Sequence, residues 1–494
     1  MKAVYKDSTI PEKIAKKVYE FPELIMMENA AAALENAVRD FCCTGKVIIL
    51  CGKGNNGADG LALARRLSGD FELKLYLSGE PKSTEAEIQY KMAKAVGVQF
   101  CSENEISEEI LKTSQNDIIV DCFFGTGFHG DLPENILKII EICNKSKAKK
   151  IACDVPSGMK FVADKTVTMG ALKTVLFGDG AKDVCGKIIC ANLGISEVKF
   201  QSASPADAFL IEKQDLKLPW RNKKSTHKGN FGHVAVFAGE KSGAGIMAAT
   251  AALNFGSGLV SLVKTQKSDL NQFKISPELM ISSEIPEKTT AVCIGSGLGK
   301  IDEKTLEMFK NWFVSAKNPA CVIDADLLTN PEILNILEFL NSVRDAKIIL
   351  TPHLKEFTVL CSLCGIAEIS VSDLTDSKDS LALKMELSEK FVQKFPSCVL
   401  IVKSAVTLIT AGNNCPVRHF IRHFICADGA PSLAKAGSGD VLAGMNAALL
   451  AQNYTALDAA ITAVESHALA GSSFDEGKGF DLTPLKLISA VQKL

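Results

Sequence analysis

Asp121 and Asp154 each close an apolar, β-branched run and open a loop rich in glycine and oxygen-bearing side chains. The first loop runs Asp121-Cys122-Phe123-Phe124-Gly125-Thr126-Gly127-Phe128-His129-Gly130-Asp131, and the second Asp154-Val155-Pro156-Ser157-Gly158. A third loop, Gly52-Lys53-Gly54-Asn55-Asn56-Gly57-Ala58-Asp59-Gly60, follows the run Val47–Cys51. It contains the G-x-G-x-x-G spacing of dinucleotide-binding turns, but two asparagines and an aspartate make it richer in oxygen than a pyrophosphate turn requires. Carboxylate, amide and hydroxyl oxygens together suit a hard cation, and an aspartate not spent on an ion can move a proton. Taken singly, each aspartate also reads as a helix or turn cap.

A second constellation is Ala436-Gly437-Ser438-Gly439-Asp440-Val441-Leu442-Ala443-Gly444, which opens an apolar helical stretch. Glycine amides at a helix N-terminus form an anion hole for phosphate oxygens. An aspartate beside that hole can take a proton from a hydroxyl attacking phosphorus. Other strand-end loops of this half are Gly239–Gly245, Gly295-Ser296-Gly297-Leu298-Gly299, Asp324-Ala325-Asp326, Thr351–Phe357 with His353, and Lys403-Ser404-Ala405-Val406-Thr407. A lysine after a strand, as at Lys403, is placed to meet a nucleotide phosphate. A lone histidine such as His353 is more often an ordinary strand-end residue than a ligand contact.

Positioning such loops is the work of α/β folds, where ligands gather at the carboxyl ends of parallel strands. Short β-branched runs alternate with helical patterns along the whole sequence. In the first half the strands are expected at Lys46–Cys51, Phe71–Leu77, Asp117–Cys122 and Lys150–Asp154, with helices at Ala58–Leu67 and Thr84–Val96 and a helical segment over Pro11 to Phe41. Between about Gln201 and Lys228 the rhythm breaks, which divides the chain into regions 1–211 and 212–494. Strands then resume at His233–Ala238, Gly258–Val263, Ala291–Ile294, Ala320–Asp324, Lys347–Thr351 and Val399–Val402.

The 494 residues are too many for one core, and 47% hydrophobic with 23% charged residues is the balance of a soluble globular protein. A net charge of −2 without long charged runs points to neither nucleic acid nor membrane as partner. Residues 242–263 carry no charge, yet Gly243, Gly245, Gly256 and Gly258 punctuate them, so a loop-helix-turn-strand unit is expected instead of a membrane span. Sixteen scattered cysteines, including the lone pair Cys361 and Cys364, suit buried reduced thiols and a cytoplasmic location.

The first three loops, with Leu24-Ile25-Met26-Met27-Glu28-Asn29-Ala30 and Val162–Thr168, resemble the N-terminal domain of YjeF-type NAD(P)H-hydrate epimerases. The resemblance implies a Rossmann-like α/β sandwich in which Asn56, Asp121 and Ser157 bind potassium. It further implies that Asn55, Asn56, Gly57, Ala58, Asp59, Gly125, Thr126, Gly127, Phe128, His129, Gly130 and Asp131 contact the hydrated nicotinamide nucleotide, with Asp154 as the acid–base residue. Ala58 stands where that family has a glycine, adding a methyl group that a close ligand or a positive φ would not tolerate.

From about Arg221 onward the chain resembles the ADP- or ATP-dependent (S)-NAD(P)H-hydrate dehydratases, a ribokinase-like α/β domain. His227–Gly232, Pro277–Met280 and Asp324–Asp326 carry that likeness, together with the Gly437–Asp440 helix start. By resemblance Lys403, Ser404, Ala405, Val406, Thr407 and Gly439 bind the adenine nucleotide with magnesium, and Ala248, Gly297, His353 and catalytic Asp440 face the hydrate. Ser296, Ser404, Ser438 and Leu354-Lys355 depart from the family pattern. The fusion implies repair of NADH and NADPH hydrates by epimerisation and dehydration, and the N-terminal helical segment leaves room for a homo-oligomer. The competing reading is a ribokinase-like small-molecule kinase fused to a non-catalytic nucleotide-binding module.

Overall fold

The computed structural model describes residues 1–494 except 8, 42–43, 203, 376–379, 413–420 and 475–478. The chain divides into two compact units, Ala3–Asp207 and Ala208–Leu494, with Met1 and Lys2 grouped with the latter.

In the first unit, strands β1 (Lys2–Tyr5), β2 (Val47–Cys51), β3 (Leu73–Leu77), β4 (Phe100–Cys101), β5 (Ile118–Cys122), β6 (Lys149–Cys153), β7 (Lys165–Met169), β8 (Leu172–Lys173) and β9 (Lys187–Ala191) alternate with helices. Seven of them form an all-parallel sheet in the order β4-β3-β2-β5-β6-β7-β9. Strands β2 and β5, at its centre, are buried on both faces, which is why Val47–Cys51 reads as a continuous apolar run instead of alternating. Beside it, β1 and β8 form a short parallel pair at Val4–Leu172 and Tyr5–Lys173.

The expected helical segment over 11–41 is two helices, α1 (Thr9–Val18) and α2 (Glu23–Arg39), separated before Pro22, which stands at the N-cap of α2. Helix α3 (Asn55–Leu67) begins three residues before the expected start, directly after Gly54, and α4 (Thr84–Ala95) is capped by the Ser83 side chain. Strands β1, β4, β7, β8 and β9 lie outside the sequence expectation. They are short or carry lysines and threonines, so no apolar run marks them.

The second unit contains β10 (Ala208–Leu210), β11 (His233–Ala238), β12 (Leu259–Lys264), β13 (Met280–Ser282), β14 (Ala291–Ile294), β15 (Ala320–Ile323), β16 (Lys347–Leu350), β17 (Cys398–Val402), β18 (Thr407–Ala411) and β19 (Arg422–Cys426). Their order is β13-β12-β11-β14-β15-β16-β17-β18-β19-β10, parallel except where β18 runs antiparallel to both neighbours. The uncharged run at 242–263 is α5 (Ser242–Asn254), a turn and then β12. Among the described residues, no helix is long and apolar enough to cross a membrane. Helix α6 (Leu354–Leu363) follows β16, while α7 (Ser438–Ala451) and α8 (Ala456–Ser472) follow β19.

Helix α7 is apolar all round and buried along its length, which places it in the core against α5. A Cβ at Gly444 would stand 2.0 Å from the Ala248 carbonyl, so only glycine permits this helix approach. Cys361 and Cys364 are buried free thiols at α6, as expected of core residues.

Candidate active sites

The first site is a cavity of about 730 Å³ at the carboxyl ends of β2, β5 and β6. Its walls include Asn55, Asn56 and Asp59 from α3, Phe123–Phe128 after β5, Asp154 after β6, and Glu12 from α1. Lys53 and Lys82 also line it, while Phe124 and Phe128 stack with ring centroids 4.2 Å apart.

Asp154 is held at a positive φ of 68°, a conformation non-glycine residues seldom adopt and one that persists where surroundings over-determine it. Those surroundings are explicit. Its amide donates to the Val167 carbonyl at 2.7 Å. Carboxylate Oδ2 accepts from the amide and hydroxyl of Thr126, both at 3.0 Å. Oδ1 accepts from the Met169 amide at 3.2 Å and from Lys173 Nζ at 2.5 Å. Lys173 is itself almost fully buried and also donates to Thr168 Oγ1 at 2.8 Å and the Met169 carbonyl at 3.1 Å. Burial would push the Asp154 carboxyl up, but the Lys173 charge and the converging donors override it and hold the group below the usual carboxylate range. Asp59 has no such cation, and burial together with the Asp154 charge pushes it well up.

Asp121 is fully buried one strand away. Ser157 donates its amide to Oδ2 at 2.8 Å and its hydroxyl to Oδ1 at 2.7 Å, and the Phe123 amide reaches Oδ1 at 3.1 Å. Burial pushes this carboxyl up to about 6 against those hydrogen bonds, with no cation beside it to offset the desolvation. The buried Nδ2 of Asn56 has no hydrogen-bond partner among the described residues.

The expected residues separate here. Asn55 lines the cavity with both ends of its amide committed, Nδ2 to Glu23 at 2.7 Å and Oδ1 to the Ser83 hydroxyl at 2.8 Å. Gly57 and Ala58 lie inside the first turns of α3 and are not in the cavity wall. Ala58 has helical backbone and packs against Met27 and Ala86, so its methyl group neither bars a required positive φ nor crowds the cavity. Gly125, Thr126, Gly127 and Phe128 line the cavity, whereas His129, Gly130 and Asp131 lie beyond its wall. Lys173 and Glu12 were missed. A lone lysine in the apolar stretch Gly170–Phe177 is the signal that marks Lys173; Glu12, on a mostly solvated helix, has none.

In the second unit Asp324, Lys403 and Asp440 come together from β15, β17 and α7. Asp324, nearly inaccessible, accepts from Thr351 Oγ1 at 2.7 Å and Lys403 Nζ at 2.9 Å through Oδ1, and from Ser296 Oγ at 3.2 Å through Oδ2. Ser296, one of the departures from the family pattern, therefore gives Asp324 a hydroxyl donor. Burial would lower the Lys403 ammonium, but the Asp324 and Glu356 charges hold it above its ordinary value. Its Nζ lies 3.3 Å from where a Cβ on Gly439 would stand, which puts this cation beside the α7 anion hole. Asp440, in the first turn of α7, is pushed up to about 6 by burial and then by the Asp324 charge, against Ser296 and Lys403.

Gly437 caps α7 at a φ of 94°, a left-handed conformation that favours glycine at this turn. His467 on α8 steadies this turn, with its Nε2 2.9 Å from the Ser438 carbonyl. Burial pushes His467 down to about 4, so it stays neutral and donates that bond. Ser438 keeps its hydroxyl on the Leu433 carbonyl at 2.8 Å.

His353 and Gly297 sit at strand ends, as expected. His353 caps α6, with Nδ1 accepting from the Lys355 and Glu356 amides at 3.1 and 3.2 Å, and Lys355 is exposed beside it. Gly297 accepts from the Lys241 amide at 2.9 Å, joining two loops. Ala248, expected to face the hydrate, has a buried side chain. It is fully buried beneath Gly444, in the contact between α5 and α7. In the Lys403–Thr407 turn, the Ser404 hydroxyl donates to the Val406 carbonyl at 2.7 Å and accepts from buried Lys384 Nζ at 3.2 Å.

Two family models match consecutive stretches, the YjeF-related protein N-terminus over residues 23–175 and NAD(P)H-hydrate dehydratase over residues 234–493. The chain is 40% identical to the bifunctional NAD(P)H-hydrate repair enzyme of Helicobacter pylori over the whole of both proteins. The chain belongs to the bifunctional NAD(P)H-hydrate repair enzymes. A member from Coxiella burnetii is 30% identical across 88% of this chain and 86% of the relative. Among solved structures, an ADP/ATP-dependent NAD(P)H-hydrate dehydratase from Bacillus subtilis, co-crystallised with ATP and magnesium, is similar over 55% of this chain and 91% of its own, at 20% identity and a TM-score of 0.43. The two-domain α/β class expected from the sequence holds, with the second domain matching the NAD(P)H-hydrate dehydratase family model.

Proposed function

We propose that this chain restores hydrated NADH and NADPH, with region 1–211 interconverting the R and S epimers and region 212–494 dehydrating the S form at the expense of ADP or ATP. One observation carries this reading: each unit sets an aspartate of low exposure among strand-end loops, and the two are tuned in opposite directions, Asp154 downward and Asp440 upward. A kinase with a merely binding partner domain has no use for the Lys173-held carboxylate in the first cavity.

In the first site Asp154 is the ionised proton acceptor, Phe124 and Phe128 offer stacking surfaces for the nicotinamide or adenine ring, and Lys53 and Lys82 meet the pyrophosphate. Potassium would be held by Asp121, Ser157 and the oxygen end of Asn56. The fit rests on a fully buried carboxylate without a cationic partner. Bound potassium supplies a positive charge that orders the loops around the nucleotide.

In the second site Asp440 takes the proton from the ring hydroxyl, whose oxygen then attacks the terminal phosphorus of the nucleotide. The α7 amides and Lys403 receive the charge that develops on the transferred phosphoryl group. Phosphate departs as the carbon–oxygen bond breaks and the neighbouring carbon loses a proton, which restores the ring double bond. Lys403–Thr407 and Gly439 hold the nucleotide, and magnesium accompanies its phosphates.

The test is recovery of reduced-nicotinamide absorbance from mixed R and S hydrate with potassium, magnesium and ADP or ATP. Complete recovery, faster than spontaneous epimerisation, is expected. Recovery that stops at the S fraction removes the epimerase assignment, and none with either nucleotide removes the dehydratase.

A further inference from the structure

Inverting a carbinol carbon requires proton transfer on both faces of the ring, whereas Asp154 supplies one carboxylate that stays ionised. We propose that Glu12 of α1 is the second proton-transfer residue of the epimerisation, donating to the departing hydroxyl on one face while Asp154 takes the proton of the incoming water on the other. This inference rests on the epimerase reading of the first site and adds a residue to it.

Glu12 lines the same cavity as Asp154, from a helix that supplies no other carboxylate to that wall. Among the described residues its carboxyl makes no hydrogen bond and no ion pair, although it is only half exposed at most. Of the other carboxyls of the wall, Asp154 is committed to Thr126, Met169 and Lys173, and Asp59 on α3 has the Cys153 thiol 3.9 Å from its Oδ2. An unengaged carboxyl facing a cavity of polar chemistry is free to bind a substrate hydroxyl.

The charged groups around it are Lys16 on its own helix, Glu23 on α2, Asp59 on α3, Asp154 after β6 and Lys173 on β8. Burial, reinforced by the Asp154 and Glu23 charges and opposed by Lys173 and Lys16, pushes Glu12 up to about 7. Two carboxyl groups in one cavity thus stand in opposite protonation states near neutrality, the arrangement that separates an acid from a base.

Hydration of an enamine places the hydroxyl on the carbon next to the ring nitrogen. The proton of Glu12 passes to that hydroxyl, the carbon–oxygen bond breaks, water leaves, and the nitrogen lone pair forms a carbon–nitrogen double bond. Water then adds to the opposite face, the new carbon–oxygen bond forms as the iminium electrons return to nitrogen, and Asp154 takes the released proton. Exchange with solvent returns both carboxyls to their starting states, so no oxidant or reductant is consumed.

The experiment uses the full chain with resolved R hydrate, following R-to-S conversion by chromatography and dehydration of S hydrate in the same preparation. Glu12→Gln is expected to slow epimerisation by roughly 10²- to 10⁴-fold, the usual contribution of a general acid, with dehydration within twofold of wild type. Glu12→Asp keeps the acid and is expected to recover part of that loss, and the alkaline fall of the wild-type epimerase profile is expected to vanish in Glu12→Gln. Epimerisation by Glu12→Gln within threefold of wild type overturns the role of Glu12. A wild-type protein that fails to epimerise while it dehydrates overturns the epimerase reading and this role with it, and the two failures are told apart by which protein shows them.

Discussion

The two units solve the same placement problem with different materials. In the first, side chains do the positioning: Lys173, Thr126 and the Met169 amide clamp one carboxylate in a left-handed backbone conformation. In the second, the backbone of a helix start does it, with Gly437 turning the chain and neutral His467 holding the turn from behind. The electrostatics follow from this difference. A carboxylate with a buried ammonium at 2.5 Å stays ionised, whereas Asp440, facing Asp324 with Lys403 already engaged, holds its proton to about 6. Burial raises a carboxyl in both units, and what decides the outcome is whether a cation is dedicated to it.

The contrast breaks most visibly at Asp440. Asp440→Asn is expected to reduce dehydration roughly 10³-fold, the middle of the range for a lost general base, and to leave epimerisation intact, which separate assays of the two steps will check. Lys173→Met is the matching blow to the first unit. Both partners of the pair are buried, so the variant leaves an unpaired carboxylate worth about 3–5 kcal/mol of destabilisation. Denaturant unfolding should show the first unit weakened and epimerisation lost, while dehydration survives at temperatures where the second unit stays folded.

Acidity sharpens the comparison further. Asp440 must be ionised to accept a proton, so dehydratase kcat/KM should fall about tenfold per pH unit below roughly 6, the value to which burial raises it. Asp154 lies below the usual range, so the first activity should not share that acid limb, and a pH series on both activities reads the difference. The smallest expected effect is at Ala58. Because it is helical and packed on Met27 and Ala86, Ala58→Gly should cost about 1 kcal/mol of stability by helix propensity and leave epimerase KM unchanged. A raised KM would place the methyl group in the site after all.

Much of this was legible beforehand. Long apolar runs such as Val47–Cys51 announce central parallel strands because they are buried on both faces. The loops after them therefore had to converge, and Asp121 with Ser157 and Thr126 with Asp154 do meet. Less legible was which residues of a loop face the ligand: Asn55 and Asn56 are adjacent and chemically identical, yet one is tied to Glu23 and Ser83 and the other has an unsatisfied amide nitrogen. The burial of Ala248 was illegible for a related reason, since its exposure depends on how closely a glycine on another helix approaches.

By itself the sequence determined the alternating α/β elements and the strand-end loops that carry the two candidate aspartates, because periodicity and glycine placement are local properties. Only the tertiary structure decided that Lys173 reaches Asp154 from a two-residue strand, that Glu12 enters the same cavity from α1, and that Ser296 and Lys403 share Asp324. These pairings join residues remote in the chain. Their strength depends on burial and distance, which no spacing along the sequence encodes.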